Sequence, residues 1–356
     1  LSFSSPGDIY GYHKVFLSGV AVFCVTSLIC VLSTSFWMLT VARVLQGFGA
    51  SAITSVNTAQ LRTIYPRKYL GRGLGISAMV VAVSAVAGPS VASIILSLGS
   101  WQWLFAINIP LGLLALIMGL IYLPHREKKQ NRKFDKTSAL ANALTFGLLI
   151  YSMEGFAHHE NAYLLAAQIF LLFIVGYYYI RRQLHQDFPL LPVCTSICSF
   201  TAQMLALVSL PFFLQNTLGR TEVATGLLLT PWPVATLFTA PLAGYLVERI
   251  HAGILGSIGM LIFATGLFLL TVLPAIPTDG AIIWRMIVCG IGFGLFQTPN
   301  NSTIMASAPI QRSGGASGMI GTARLLGQTL EATLVALLFS FAMHDKGTTV
   351  CLWAGA

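Results

Sequence analysis

The apolar residues of this chain run in long unbroken blocks separated by short polar stretches. Eleven blocks reach the length of about 20 residues that a helix needs to cross a bilayer: roughly 15–33, 36–61, 73–99, 103–123, 138–157, 162–180, 194–216, 225–247, 253–276, 281–305 and 315–342. Within them the apolar character is continuous, without the alternation of outer-membrane barrel strands. The pattern predicts an all-α polytopic membrane protein.

Composition points the same way. The chain is 56% hydrophobic and 9% charged, against about 25% charged residues in a soluble domain. The net charge of +9 would suit nucleic acid if it were clustered on a folded surface, but its placement says otherwise. Alternate loops hold Lys14, then Arg62, Arg67, Lys68 and Arg72, then the six cations of "HREKKQNRKFDK", then Arg181, Arg182, Arg249 and Arg312. The opposite loops hold only Arg220 and Lys346. This is the positive-inside pattern. It predicts an integral plasma-membrane protein with 124–137 and 181–193 in the cytosol, and no nucleic-acid partner.

The six cysteines show no paired CxxC spacing. Cys194 and Cys198 share a helix face, which reads as packing. The "HHE" at 158–160 has no HExxH pattern or fourth ligand. No metal or cofactor is expected. No phosphate-binding P-loop occurs, so ATP is not the expected energy source. No histidine falls inside a block and no nucleophile–base set converges there, so the chain is not expected to be an enzyme.

The chain repeats itself at an offset of 243 residues: Gly47 with Gly290, Gly49 with Gly292, Asn57 with Asn300, Pro66 with Pro309, Gly71 with Gly314 and Gly75 with Gly318. Both copies begin outside and run inward, so the repeat is parallel, as in some secondary transporters. Blocks 138–157 and 162–180 lie outside the register and follow the most basic loop. The expected organisation is a bundle over 1–123, a basic linker and inserted helix pair over 124–193, and a second bundle over 194–356. "LSFSSPGD" reads as the tail of one helix and "VCLWAGA" as the start of another, so both bundles are expected to be incomplete.

Two blocks carry polar stripes. Arg43, Gln46, Ala50, Thr54 and Asn57 fall on one helical face, with Gly47 and Gly49 permitting close helix contact. A lone arginine at the centre of a membrane helix costs roughly 2.5–3.5 kcal/mol on insertion scales and calls for a cavity or a partner. It reads either as a functional group or as an arginine bonded to backbone carbonyls. Ser317, Gly321, Arg324, Gln328 and Glu331 form the second stripe. Glu331 there could carry a proton or attract a cationic substrate. Glu154, near the outer end of its block, reads as a coupling acid or as an interfacial acid reaching water. Gln297, Asn300 and Asn301 can offer hydrogen bonds to a cavity. Trp232, Phe212 and Phe213 suit a ligand wall or core packing.

"GDIYGYHK", "LTVARVLQGFGAS" and "AVAGPSVAS" resemble three successive signatures of the major facilitator superfamily. "WQWLFAINIPLG" and "SGGASGMIGTARLLGQTL" are similar to its fourteen-helix drug:proton antiporter branch. Set against that branch, the first helix, most of the second and the last are absent from this chain, as are about a dozen residues between Val193 and Cys194. The loop signature, Gly-x-x-x-Asp-Arg-x-Gly-Arg-Lys, is met by Asp8 and Gly11, with His13 and Lys14 keeping a basic end; Ser4, Ile9 and Tyr12 depart from it. Its second copy retains Gly244, Glu248 and Arg249. The resemblance implies that these acids and bases latch helix ends in one state and release them in another. The helix signature is met in full by Leu39, Arg43, Gln46, Gly47 and Gly49, and implies a part in proton coupling for Arg43. Gly88-Pro89 matches the exporter signature, in which a proline bend seals one face of the bundle. Arg324 and Gln328 match the branch; Glu331 stands where relatives tend to have glycine.

The resemblance implies a monomeric antiporter of the bacterial inner membrane. It would export an amphipathic, cationic small molecule in exchange for protons by alternating access. A proton-driven transporter of a polar metabolite and an inactive fragment are the alternatives.

Overall fold

The computed structural model describes residues 4–124, 136–157, 162–184, 190–274, 277–309, 313–341 and 355. Every apolar block holds a helix. The elements are α1 (Ser4–Tyr10), α2 (Tyr12–Val31), α3 (Phe36–Ile64), α4 (Leu70–Leu98), α5 (Trp103–Ala106), α6 (Asn108–Tyr122), α7 (Lys136–Ala157), α8 (Ala162–Leu184), α9 (Leu190–Phe212), α10 (Glu222–Leu229), α11 (Pro231–Leu246), α12 (Ala252–Thr271), α13 (Asp279–Ser307) and α14 (Ser313–Phe341). No strand occurs among the described residues. Seven helical stretches among them are long and apolar enough to cross a membrane.

Local chemistry sets the interruptions. Pro231 supplies no backbone N–H, so the block over 225–247 breaks into α10 and α11, with Pro231 at the first position of α11. The block over 103–123 breaks at Ile107 into α5 and α6. Past Pro211, α9 loosens into a π turn over Phe213–Thr217. Ser35 and Thr221 cap α3 and α10 by accepting from the N–H groups of Met38 and Ala224. α4 continues as helix through Gly88-Pro89.

The chain forms two compact units. The first comprises Leu1–Arg67, Ser84–Lys136 and Ala308–Gly321; the second comprises Lys68–Val83, Thr137–Ser307 and Thr322–Ala356. α4 is divided after Val83 and α14 after Gly321, while α7 from Thr137 onward and α8 fall in the second unit.

In the first unit α2 packs on α3 through Tyr12, Val15, Ala52, Val56 and Ala59. A Cβ on Gly49 would lie 2.8 Å from the Phe23 nitrogen and 2.9 Å from the Gly19 oxygen, so the two backbones touch. In lipid no hydrophobic drive separates helix from solvent, and small residues allow the close packing that replaces it. The second unit uses this device more heavily. Along α13, Gly290 meets the Trp232 carbonyl of α11, Gly294 meets Thr239 of α11, and Gly292 meets the Phe263 backbone of α12. Residues four apart share a helix face and the residue between them turns to the other side, so one short glycine run seats two helices. Around it Trp232, Phe263, Phe293 and Phe200 form an edge-to-face series with centroids 5.5–5.7 Å apart. Trp232 is 1% exposed, so it is core packing and not a ligand wall; Phe212 is exposed.

Candidate functional site

Arg43 sits two turns into α3 from Phe36, about 10 Å along the axis at 1.5 Å per residue. Its Nη1 donates to Gln46 Oε1 at 2.7 Å, and its guanidinium lies over the Phe105 ring, 5.5 Å from the centroid. Gln46 is buried and passes the contact on: its Nε2 donates to Ser27 Oγ of α2 at 2.7 Å. Ser27 Oγ in turn donates to the Phe23 carbonyl at 2.7 Å. Arg43 is thus held by a side-chain amide and an aromatic ring, and the residue as a whole is exposed. The alternative, an arginine tied to carbonyls, describes Arg285 instead. Arg285 donates to Leu269 O and Ala281 O at 2.8 Å each, with its guanidinium over Trp284. The sequence singled out Arg43 and Gln46. It gave no sign of Ser27 or Phe105.

At the other end of the first unit, the loop signature is tied to the first turn of α14. Gly11 caps α2 with φ 100°, a left-handed conformation that favours glycine and explains that residue of the signature. Asp8 Oδ1 accepts from Tyr12 OH at 2.5 Å and from the Gly314 N–H at 3.0 Å, and Tyr12 OH accepts the same N–H at 3.1 Å. Arg62 donates to Ser313 Oγ at 3.1 Å and to the Ala308 carbonyl at 2.9 Å. All of these residues belong to the first unit. The amides in the first turn of a helix have no partner within it, and a carboxylate there is favoured. Tyr12, which departs from the family signature, supplies the second oxygen.

The second unit repeats the arrangement with different chemistry. Arg72 pairs with Glu248 at 2.9 Å, and the Glu248 side chain is only 9% exposed. The Arg72 guanidinium stacks on Tyr69 and Tyr245, and Arg249 stacks on Tyr245 from 4.7 Å. Gly71 and Gly244 bring the α4 and α11 backbones into contact beside the pair.

The remaining residues of interest are less concentrated. Asn300 donates to the Pro192 carbonyl at 3.1 Å and to Ser196 Oγ at 2.6 Å, and accepts from Thr195, so its amide is committed to α9. Asn57, its counterpart in the repeat, is exposed. Gln297, Asn301, Arg324 and Gln328 are half-buried in the second unit. Ser317 and Gly321 lie in the first unit and the rest of the α14 stripe in the second. Gly47 and Gly88 have no atom within 4 Å of a Cβ position. The side chains of Glu154, Glu331 and Pro89, and the "HHE" at 158–160, lie outside the described residues. Among those described, no group of three or more metal-ligating side chains occurs.

Comparison with known proteins follows the same lines. The chain is 56% identical to the "Uncharacterized transporter YebQ" of Escherichia coli (strain K12), over 100% of this chain and 80% of that relative. It is 28% identical to the "Multidrug resistance protein Stp" of Mycobacterium tuberculosis (strain CDC 1551 / Oshkosh), over 93% of this chain but only 64% of that relative. Its fold matches the crystal structure of the human organic anion transporter MFSD10 (TETRAN) with a TM-score of 0.72, at 12% identity, covering 99% of this chain and 78% of that one. The Major Facilitator Superfamily model spans residues 4–330. The bundle of membrane helices and the long span of that match agree, and the chain belongs to the Major Facilitator Superfamily of transporters.

Proposed function

We propose that this transporter exports amphipathic, cationic small molecules in exchange for protons, by alternating access. The observation that carries the reading is the Arg43 guanidinium, set inside an apolar helix on the buried Gln46 amide, its one hydrogen-bond partner among the described residues. A charge placed at that depth is functional by default, because a purely structural site could use an uncharged residue. The helix signature around it, and relatives whose names describe multidrug resistance, support an exporter. The latches at Asp8 and Glu248 supply contacts that could be made in one state and broken in the other.

The test is ethidium efflux from energised cells. The wild type should extrude ethidium, and a protonophore should abolish the extrusion. Arg43→Ala should slow active efflux about ten-fold or more. Efflux at the wild-type rate in Arg43→Ala would remove the coupling role assigned to this residue.

A further inference from the structure

We infer that Ser27 of α2 is a positioning residue for the Arg43 guanidinium, and that it acts through the amide of Gln46. The inference rests on the coupling role proposed for Arg43. A serine hydroxyl has a single proton to give, and that of Ser27 goes to the Phe23 carbonyl, which can only accept. Ser27 Oγ therefore meets Gln46 as an acceptor, which requires the Gln46 NH2 group on that side. The Gln46 carbonyl oxygen is then left facing Arg43, which can only donate. The polarity of the series is fixed at both ends, and the amide has one consistent orientation.

Burial makes that orientation matter. Ser27 is fully buried and Gln46 is 2% exposed, so no water is at hand to replace a lost partner. The helix contact at Gly19 and Gly49 sets the spacing between α2 and α3 one turn away from Gln46. With Ser27 replaced by alanine, the Gln46 NH2 group loses its acceptor. The amide is then no longer anchored to α2, so it and the guanidinium bonded to it can rotate together and Arg43 loses its fixed position. Phe105 presents only a ring face, which orients the guanidinium plane without fixing its rotation.

Two measurements on the full chain test this. In protein labelled with 15N-arginine, a held Arg43 gives resolved Nη resonances because rotation of its guanidinium is hindered. Ser27→Ala should average them and Ser27→Thr, which keeps the hydroxyl, should restore them. Resolved Arg43 resonances in Ser27→Ala would overturn the inference. In proteoliposomes with an imposed pH gradient and ethidium as the probe, Ser27→Ala should lower kcat about ten-fold with KM changed less than two-fold. Ser27→Thr should stay near wild type. In an Arg43→Ala background, Ser27→Ala should cause no further loss, since two residues acting through one group are not additive. A wild-type rate in Ser27→Ala alongside a slow Arg43→Ala overturns the positioning and leaves the coupling reading intact. So does a loss that adds in full to that of Arg43→Ala. A wild-type rate in Arg43→Ala overturns both.

Discussion

Alanine in place of Gly292 will lower the melting temperature of the detergent-solubilised protein by roughly 4 °C, for a destabilisation of about 3 kcal/mol. The added carbon would run into the Phe263 backbone. Backbone cannot rotate aside as a side chain does, so α12 and α13 must separate. α13 is seated on α11 by Gly290 and Gly294 at the same level, and moving it away from one neighbour drives it into the other. Gly256→Ala in α12 is the matched control. Its Cβ position has nothing within 4 Å, and alanine is the better helix former, so its melting temperature should equal or exceed that of the wild type. Equal melting of Gly292→Ala and Gly256→Ala would mean that the glycine contacts do not hold this bundle together.

The second large effect is expected at Asp8. Removing its carboxylate in Asp8→Ala leaves the Gly314 N–H with the Tyr12 hydroxyl alone. Losing one side of a charge-assisted hydrogen bond costs about 1–3 kcal/mol, which corresponds to a loss of hydrogen-exchange protection of about 5–150-fold in the first turn of α14. Exchange measured on peptides covering 313–321 reads this directly. Asp8→Asn keeps an acceptor oxygen and loses only the charge, so it should fall between wild type and Asp8→Ala. Arg62→Ala should release the same segment from the other side, because it removes the contacts to Ala308 and Ser313. Unchanged protection in both Asp8→Ala and Arg62→Ala would leave the latch without a mechanical role.

Much of this architecture can be read from the chain alone because lipid imposes a simple demand. A crossing helix needs about 20 apolar residues, and each of the eleven blocks answers with helix. Gly290 and Gly292 of α13 stand out through the repeat, but which glycine faces α11 and which faces α12 depends on neighbours that the repeat does not identify. Arg43 and Gln46 could be paired in advance because residues three apart share a helix face. Ser27 could not, since serines in apolar helices commonly bond a carbonyl one turn back, as Ser27 does, and nothing in the sequence marks its second bond to α3. Tyr12 was legible only as a departure from a signature that expects a base. Its phenol reaches both Asp8 and Gly314, a contact across 302 residues of chain that no local pattern encodes. The Arg72–Glu248 pair was hidden for the same reason, although Glu248 was visible within its signature and Arg72 as a loop cation.

The burial of Trp232 gives the protein an optical asymmetry. Trp37, Trp101, Trp103 and Trp284 are 41–76% exposed on the helix surfaces, whereas Trp232 is enclosed by the second unit. In a Trp353→Phe background, brominated lipids will quench the exposed indoles and leave Trp232 emitting. That residual emission is a light source sealed inside one half of the transporter, and its loss of shielding on heating or mutation reports that half's integrity without an added label.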